Sequence, residues 1–141
     1  MSADSSGMIY TGIDVVEVER IRRAVERWGD GFVRRIFSPA EAALCHGRAE
    51  SLAARWAAKE AVAKLLGVGL RVVGGAGGVA FHDIETLVDA CGRPTVTLHG
   101  AAQARACALR IDSISLSLSH DYGLAIAVAI ALRSAVRRMP W

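Results

Sequence analysis

At 141 residues, 52% of them hydrophobic and 22% charged, with a mean hydropathy of +0.31, the chain holds one globular domain. It carries more apolar surface than a small monomer needs, which points to a homo-oligomer. The longest uninterrupted apolar run, Tyr122 to Leu132, falls short of the roughly 20 residues of a membrane helix, and the N-terminus has no basic stretch leading into a long apolar core. No membrane partner and a cytoplasmic location are therefore expected, with the domain spanning 1–141 and residues 1–7 and 134–141 as flexible tails. Cys45, Cys91 and Cys107 are widely spaced and form no C-x-x-C, which argues against a disulfide framework and a structural zinc site and reads as small buried hydrophobes. The formal net charge of +3 is concentrated rather than spread.

In chain order, MIYTGIDVV (Met8 to Val16) is rich in β-branched residues and predicts a first strand with Asp14 near its end. An amphipathic helix follows over Glu17 to Trp28, with Val18, Ile21, Ala24, Val25 and Trp28 as its inward stripe. Its other face gathers Arg20, Arg22, Arg23 and Arg27, and Arg34 and Arg35 follow close behind, against only Glu26 and Asp30. Such a patch is either a solvated helix face or a docking surface for an acidic partner. Gly29-Asp30-Gly31 breaks this helix, and Phe32, Val33, Ile36 and Phe37 form a short amphipathic turn. Ser38-Pro39-Ala40-Glu41 is a capping box with Pro at the first helical position and starts a short helix to about Cys45 or His46.

The centre of the chain is RWAAKEAVAKLLGVG, Arg55 to Gly69, an Ala-rich run without a breaker until Gly67. At about 100° per residue, Ala54, Ala57, Ala58, Ala61, Val62 and Leu65 fill one arc and Leu52, Trp56 and Ala63 a second. The charges occupy the two gaps between: Arg55 and Lys59 in one, Glu60 and Lys64 in the other, roughly 140° away. Glu60 and Lys64 at i,i+4 suit an ordinary surface pair. A helix apolar nearly all round is usually buried, however, which would turn these charges to a crevice, an interface or a ligand.

Beyond it, VVGGAGG (Val72 to Gly78) reads as a connector, since it lacks the Walker Lys-Ser/Thr and does not open a helix. Strands are predicted over Val79 to Val88 and Pro94 to His99, joined by a turn at Asp89 to Arg93, and a short helix over Ala101 to Leu109 with Cys107 on its buried side. In a regular strand His82 would oppose Asp83 and Glu85, which speaks against a metal site there. Two alternating strands close the chain. Ile114, Leu116 and Leu118 alternate with serines, and Leu124 to Leu132 alternates large apolar residues with alanines. We expect an antiparallel hairpin with one large-apolar face and one face of Ser or Ala, turned by His120 to Gly123.

GIDVVEVERI (Gly12 to Ile21), FVRRIFSPAE (Phe32 to Glu41), ARWAAKEAVAKLLGVG (Ala54 to Gly69), DIE (Asp83 to Glu85), G-x-P (Gly92 to Pro94) and SLSH (Ser117 to His120) together resemble the holo-acyl carrier protein synthases, small stand-alone 4′-phosphopantetheinyl transferases. The likeness covers nearly the whole chain in order. It departs from the usual pattern at Val68, where Thr is common, and in the length of the Gly-rich stretch. The resemblance implies an α+β fold, a small antiparallel sheet packed with a long central helix, assembling as a homotrimer with active sites between subunits. It implies Mg²⁺-dependent transfer of the phosphopantetheine arm of coenzyme A to a Ser of an apo acyl carrier protein. Asp14 and Glu60 are then the metal ligands, Glu60 and Lys64 the catalytic pair, and Arg55, Lys59, Lys64, Ser119 and His120 the coenzyme A contacts. Arg20, Arg23 and Arg27 dock the acidic carrier. The competing expectation is a non-catalytic basic module for an acidic protein or nucleic acid. Against nucleic acid, the chain shows no recognised binding motif or run of stacking aromatics.

Overall fold

The computed structural model describes residues 7–71 and 78–135. The fold is α+β. In chain order the elements are β1 (Ile9–Glu17), α1 (Val18–Ile36), α2 (Pro39–Cys45), α3 (Ala49–Leu66), β2 (Leu70–Arg71), β3 (Val79–Ala80), a 3₁₀ turn (Phe81–Asp83), β4 (Ile84–Val88), β5 (Pro94–Leu98), α4 (Gly100–Leu109), β6 (Ser115–Asp121) and β7 (Leu124–Leu132). The expected Gly-rich connector, apart from Gly78, and most of both expected tails lie outside the described residues.

Strand β7 is the centre of an antiparallel sheet ordered β1-β7-β6, and α3 lies across one face of it. The contact surfaces are made of small residues on both sides. Ala54, Ala57, Ala58 and Ala61 of α3 are buried, as are Gly12, Ala125, Ala127, Ala129 and Ala131 of the sheet. At Gly12 a Cβ would overlap the carbonyl oxygen of Ala61 and lie 2.8 Å from the amide nitrogen of Leu65, so only glycine allows helix and strand to come this close.

This close packing overturns the expected faces of the hairpin. Register pairs Ser117 with Val128 and Leu118 with Ala127, so the two strands send opposite kinds of residue to each side. The face under α3 carries the alanines of β7 with Leu116 and Leu118 of β6. The outer face carries the serines with Ile126, Ile130 and Leu132, joined by Ile9, Ile13 and Val15 of β1, and Ile13 remains 60% exposed. Large side chains have no room beneath a helix that rests on the strand backbone. The turn is also tighter than expected: only Tyr122 and Gly123, both at positive φ (47° and 75°), lie between the strands.

Four further differences from the sequence reading have simple causes. The break expected at Gly29 is present, with non-helical angles (φ 56°, ψ −142°), but a further helical run to Ile36 follows it instead of a short turn, because Phe32, Val33 and Ile36 pack back onto the core. Trp28 is not inward but 62% exposed, beneath the Arg27 guanidinium 4.8 Å from its ring. The strand expected over Val79 to Val88 is interrupted by the 3₁₀ turn, held by Asp83 Oδ2 accepting from the Ala80 amide at 3.1 Å. Of the cysteines only Cys45 is buried. Helix α4 buries Ala102 and Ala106, which turns Cys107 outward, and Cys91 sits exposed in the β4–β5 turn.

Helix α2 begins as expected. Ser38 Oγ accepts from the Glu41 amide at 3.2 Å and Glu41 Oε2 accepts from the Ser38 amide at 2.7 Å, the reciprocal pair of a capping box.

Candidate active site

Gly12 and Asp14 lie two residues apart on β1 and share the face under α3, so the contact that makes Gly12 obligatory also delivers Asp14 to the helix. There the Lys64 ammonium donates to Asp14 Oδ1 at 2.9 Å and to the Ile13 carbonyl at 3.0 Å. Glu60, one turn earlier on α3, is half-buried on the same side. Its carboxyl is pushed above the ordinary glutamate value, first by burial and then by the negative charge of Asp14, while Lys64 and Arg20 pull it back. Two carboxylates and two cations, drawn from β1, α1 and α3, thus act on one another at one spot.

The alternative of an ordinary Glu60–Lys64 surface pair is not what the chain adopts. The ion pair that Lys64 makes among the described residues is with Asp14. Asp14 and Glu60 are the residues here that could hold a divalent ion. Among the described residues no group of three or more His, Cys, Asp or Glu gathers as a metal cluster. An ion at Asp14 and Glu60 would therefore need additional oxygens from water and substrate. Mg²⁺ accepts that arrangement, taking one or two carboxylates plus phosphate oxygens. A cation would also offset the burial and the Asp14 charge that together raise Glu60.

The other gap of α3 is structural, and this corrects the expectation for Lys59. Its ammonium is 0% exposed and pairs with Glu41 Oε2 at 3.0 Å, while also donating to the carbonyls of Phe81 (2.9 Å) and Ile84. With all three N–H bonds engaged inside the protein, none is left for a coenzyme A phosphate. Burial pulls its pKa below the ordinary lysine value, with Glu41 opposing. Arg55 is also nearly buried. It donates to the Ser51 carbonyl at 3.3 Å and lies beside the Cys45 thiol, which burial pushes up. The structure does not bring Arg55 to Asp14, Glu60 and Lys64.

His120 and Ser119 stand elsewhere on β6. Ser119 faces outward opposite Ile126, and His120 pairs with Ala125, in the row of Val16 rather than of Asp14. His120 lines a cleft of about 380 Å³ with Val18, Glu19, Arg22 and Glu50. Arg20, Arg23 and Arg27 are all exposed along α1. Arg23 pairs with Glu19 at 3.4 Å, and Arg20 lies over the Trp56 ring at 5.6 Å. Arg20 therefore touches both the basic face and the electrostatics of Glu60.

Two features of this region escaped the sequence reading. One is an apolar groove of about 270 Å³ lined by Trp28, Gly31, Phe32, Arg35, Ile36 and Trp56, with residues from both sides of the α1 break at Gly29. The other is Glu41, read only as a helix start. Its residue type and capping position gave no sign that Lys59 would find it.

The 4′-phosphopantetheinyl transferase superfamily profile matches residues 10–127, and the chain belongs to that superfamily. A holo-[acyl-carrier-protein] synthase of Roseiflexus castenholzii is 81% identical over 107 residues, covering 76% of this chain and 79% of the relative. The corresponding protein of Herpetosiphon aurantiacus is 53% identical over 105 residues, covering 74% and 83%. Among solved structures, the Helicobacter pylori holo-[acyl-carrier-protein] synthase in complex with coenzyme A superposes with a TM-score of 0.74 at 37% identity, covering 88% of this chain and 99% of that one. The likeness within the superfamily is thus to the holo-acyl carrier protein synthases, and the chain is an enzyme of their transferase class.

Proposed function

We propose that this chain transfers the 4′-phosphopantetheine arm of coenzyme A to a serine of an apo acyl carrier protein, with the chemistry centred on Asp14, Glu60 and Lys64. The carrying observation is their convergence: Lys64 bonded to Asp14 at 2.9 Å, and Glu60 raised by burial and by Asp14. In the reaction the serine oxygen forms a bond to the diphosphate phosphorus next to pantetheine. The bond from that phosphorus to the adenosine 3′,5′-bisphosphate oxygen breaks, and the serine proton leaves with a base.

Glu60, half-buried beside Asp14 and Lys64, takes that proton either directly or through a water that it orients. Lys64 sits where its positive charge meets the phosphate under attack and offsets charge growing on the leaving group. Asp14 and Glu60 are the residues that would hold Mg²⁺, which supplies neutralisation of the diphosphate when bound. Ser119 and His120 would meet other parts of coenzyme A, which is long enough to span neighbouring clefts.

Arg20, Arg23 and Arg27 form the docking face for the carrier, whose acidic surface they complement, and the groove beside Trp28 and Trp56 offers an apolar anchor point next to them. The outer sheet face supports self-association, which the family resemblance makes a homotrimer: Ile9, Ile13, Val15, Ile126, Ile130 and Leu132 leave large apolar side chains exposed there. Among the described residues no helix is long and apolar enough to cross a membrane.

The test is one incubation of the protein with Mg²⁺, coenzyme A and an apo carrier, read by mass spectrometry for the added arm. Wild type is expected to modify the carrier, while Asp14→Asn and Glu60→Gln fold normally and leave it unmodified. Full activity in either variant would remove that residue from the site.

A further inference from the structure

The central helix meets the sheet through Ala54, Ala57, Ala58 and Ala61, with the larger Leu52, Val62, Leu65 and Leu66 buried around them. Alanine ridges are shallow, so at the turns that carry Lys59 and Glu60 the fit against the Gly and Ala face of the sheet opposes rotation of α3 about its own axis less than interdigitated large side chains would. Rotation matters at the active site. A group at the outer radius of a helix, about 5–6 Å from its axis, moves roughly 2 Å for a roll of about 20°.

Lys59 stands about 100° around the helix from Glu60. Its three bonds go to three separate elements: Glu41 of α2, the Phe81 carbonyl in the 3₁₀ turn, and the Ile84 carbonyl at the start of β4. Glu41 is equally buried and equally engaged. Oε1 accepts from the amide (2.7 Å) and hydroxyl (3.1 Å) of Thr86, and Oε2 from the Ser38 amide and from Lys59. A buried ion pair generally adds less stability than a well-packed apolar pair in its place, so stability is a weak reason for it, whereas fixing one geometry among several is a strong one.

We propose that Lys59 is a positioning residue of the transfer reaction, its bonds to Glu41, Phe81 and Ile84 setting the roll of α3 and thereby holding Glu60 and Lys64 at Asp14. This rests on the transferase reading. Lys59 itself reaches no substrate.

The test is the double variant Lys59→Met with Glu41→Gln, which keeps side-chain length and leaves no unpaired charge in the interior. Circular dichroism and thermal melting establish the folded fraction. Per folded molecule, kcat is expected to fall about 10- to 100-fold, as for a misplacement of about 1 Å. KM for coenzyme A should stay within about twofold, because uniform binding is untouched. Mn²⁺ affinity, followed by electron paramagnetic resonance without substrates, should weaken as the two carboxylates lose alignment. A folded double variant with wild-type kcat and wild-type Mn²⁺ affinity overturns the proposal. Should the double variant not fold, Glu41→Gln alone, whose single amide oxygen can keep the Thr86 bonds while giving up those to Ser38 and Lys59, must show the same kcat loss; an unchanged kcat there overturns it equally. A wild type that transfers nothing defeats the transferase reading instead, and the Mn²⁺ comparison still decides whether Lys59 sets the helix.

Discussion

Lys64 reaches across from helix α3 to bond Asp14 on β1 at 2.9 Å, although its favoured helical partner, Glu60, lies one turn away on the same side. The choice follows from packing. Gly12 lets the helix rest on the strand, which carries the Asp14 carboxylate up to the lysine, and the Ile13 carbonyl supplies a second acceptor at 3.0 Å.

Lys64→Met should therefore do two things at once. Transfer should fall by roughly 10²-fold or more, the scale for losing a charge that stabilises a transition state. The Glu60 carboxyl should also rise further, since Lys64 is one of the two cations holding it down. The acid limb of a pH–rate profile should accordingly move to higher pH. A rate loss with an unmoved limb would separate Lys64 from Glu60.

The raised Glu60 pKa also bears on stability without metal. A carboxyl that binds its proton more tightly folded than unfolded loses stability as pH rises from its unfolded to its folded value. Above both values the ionised group carries the whole penalty, and below both it carries none. Glu60→Gln should melt at higher temperature than wild type at neutral pH in the presence of a chelator, and the difference should vanish at acid pH below the ordinary glutamate value. An equal melting temperature at neutral pH would show that Glu60 is not strained by its surroundings.

Gly12→Ala is expected to lower stability by about 1–3 kcal/mol or more, because the new methyl meets the backbone of Ala61 and Leu65, which has no rotamer with which to yield. Urea denaturation measures the loss. The folded remainder should have low activity, since Asp14 would be pushed away from α3.

Reversing the basic face with Arg20→Glu, Arg23→Glu or Arg27→Glu should raise KM for the carrier about tenfold or more at low salt and less at high salt. For Arg23 and Arg27, KM for coenzyme A should not change. Arg20 is the exception to watch, because it also acts on Glu60. Steady-state kinetics at two ionic strengths resolves the three positions.

Much of this was readable from residue order alone. Helical spacing separated Arg55 and Lys59 from Glu60 and Lys64, and the structure keeps that division. What spacing could not supply was which gap faced the interior, because that depends on Glu41 arriving from α2. The alternation in β7 likewise marked a strand but not its inner side. A period of two reads the same when inverted, and only the close approach of α3 at Gly12 selects the alanines. Trp28 was misplaced for a related reason: helical spacing marks which residues share a stripe but not how far along the helix the core extends, and the last turn before Gly29 lies beyond it. Asp14 as a site residue came from family resemblance, since an acidic group near a strand end has many ordinary uses.

The outward row of Ile9, Ile13, Ile126, Ile130 and Leu132 has a consequence for handling the protein. If copies of the chain close over that row, their association energy is part of what keeps each copy folded, and apparent stability then depends on how much protein is present. Melting temperature would drop on dilution, and assays run at nanomolar enzyme would sample a different population from those run at micromolar, with specific activity varying accordingly.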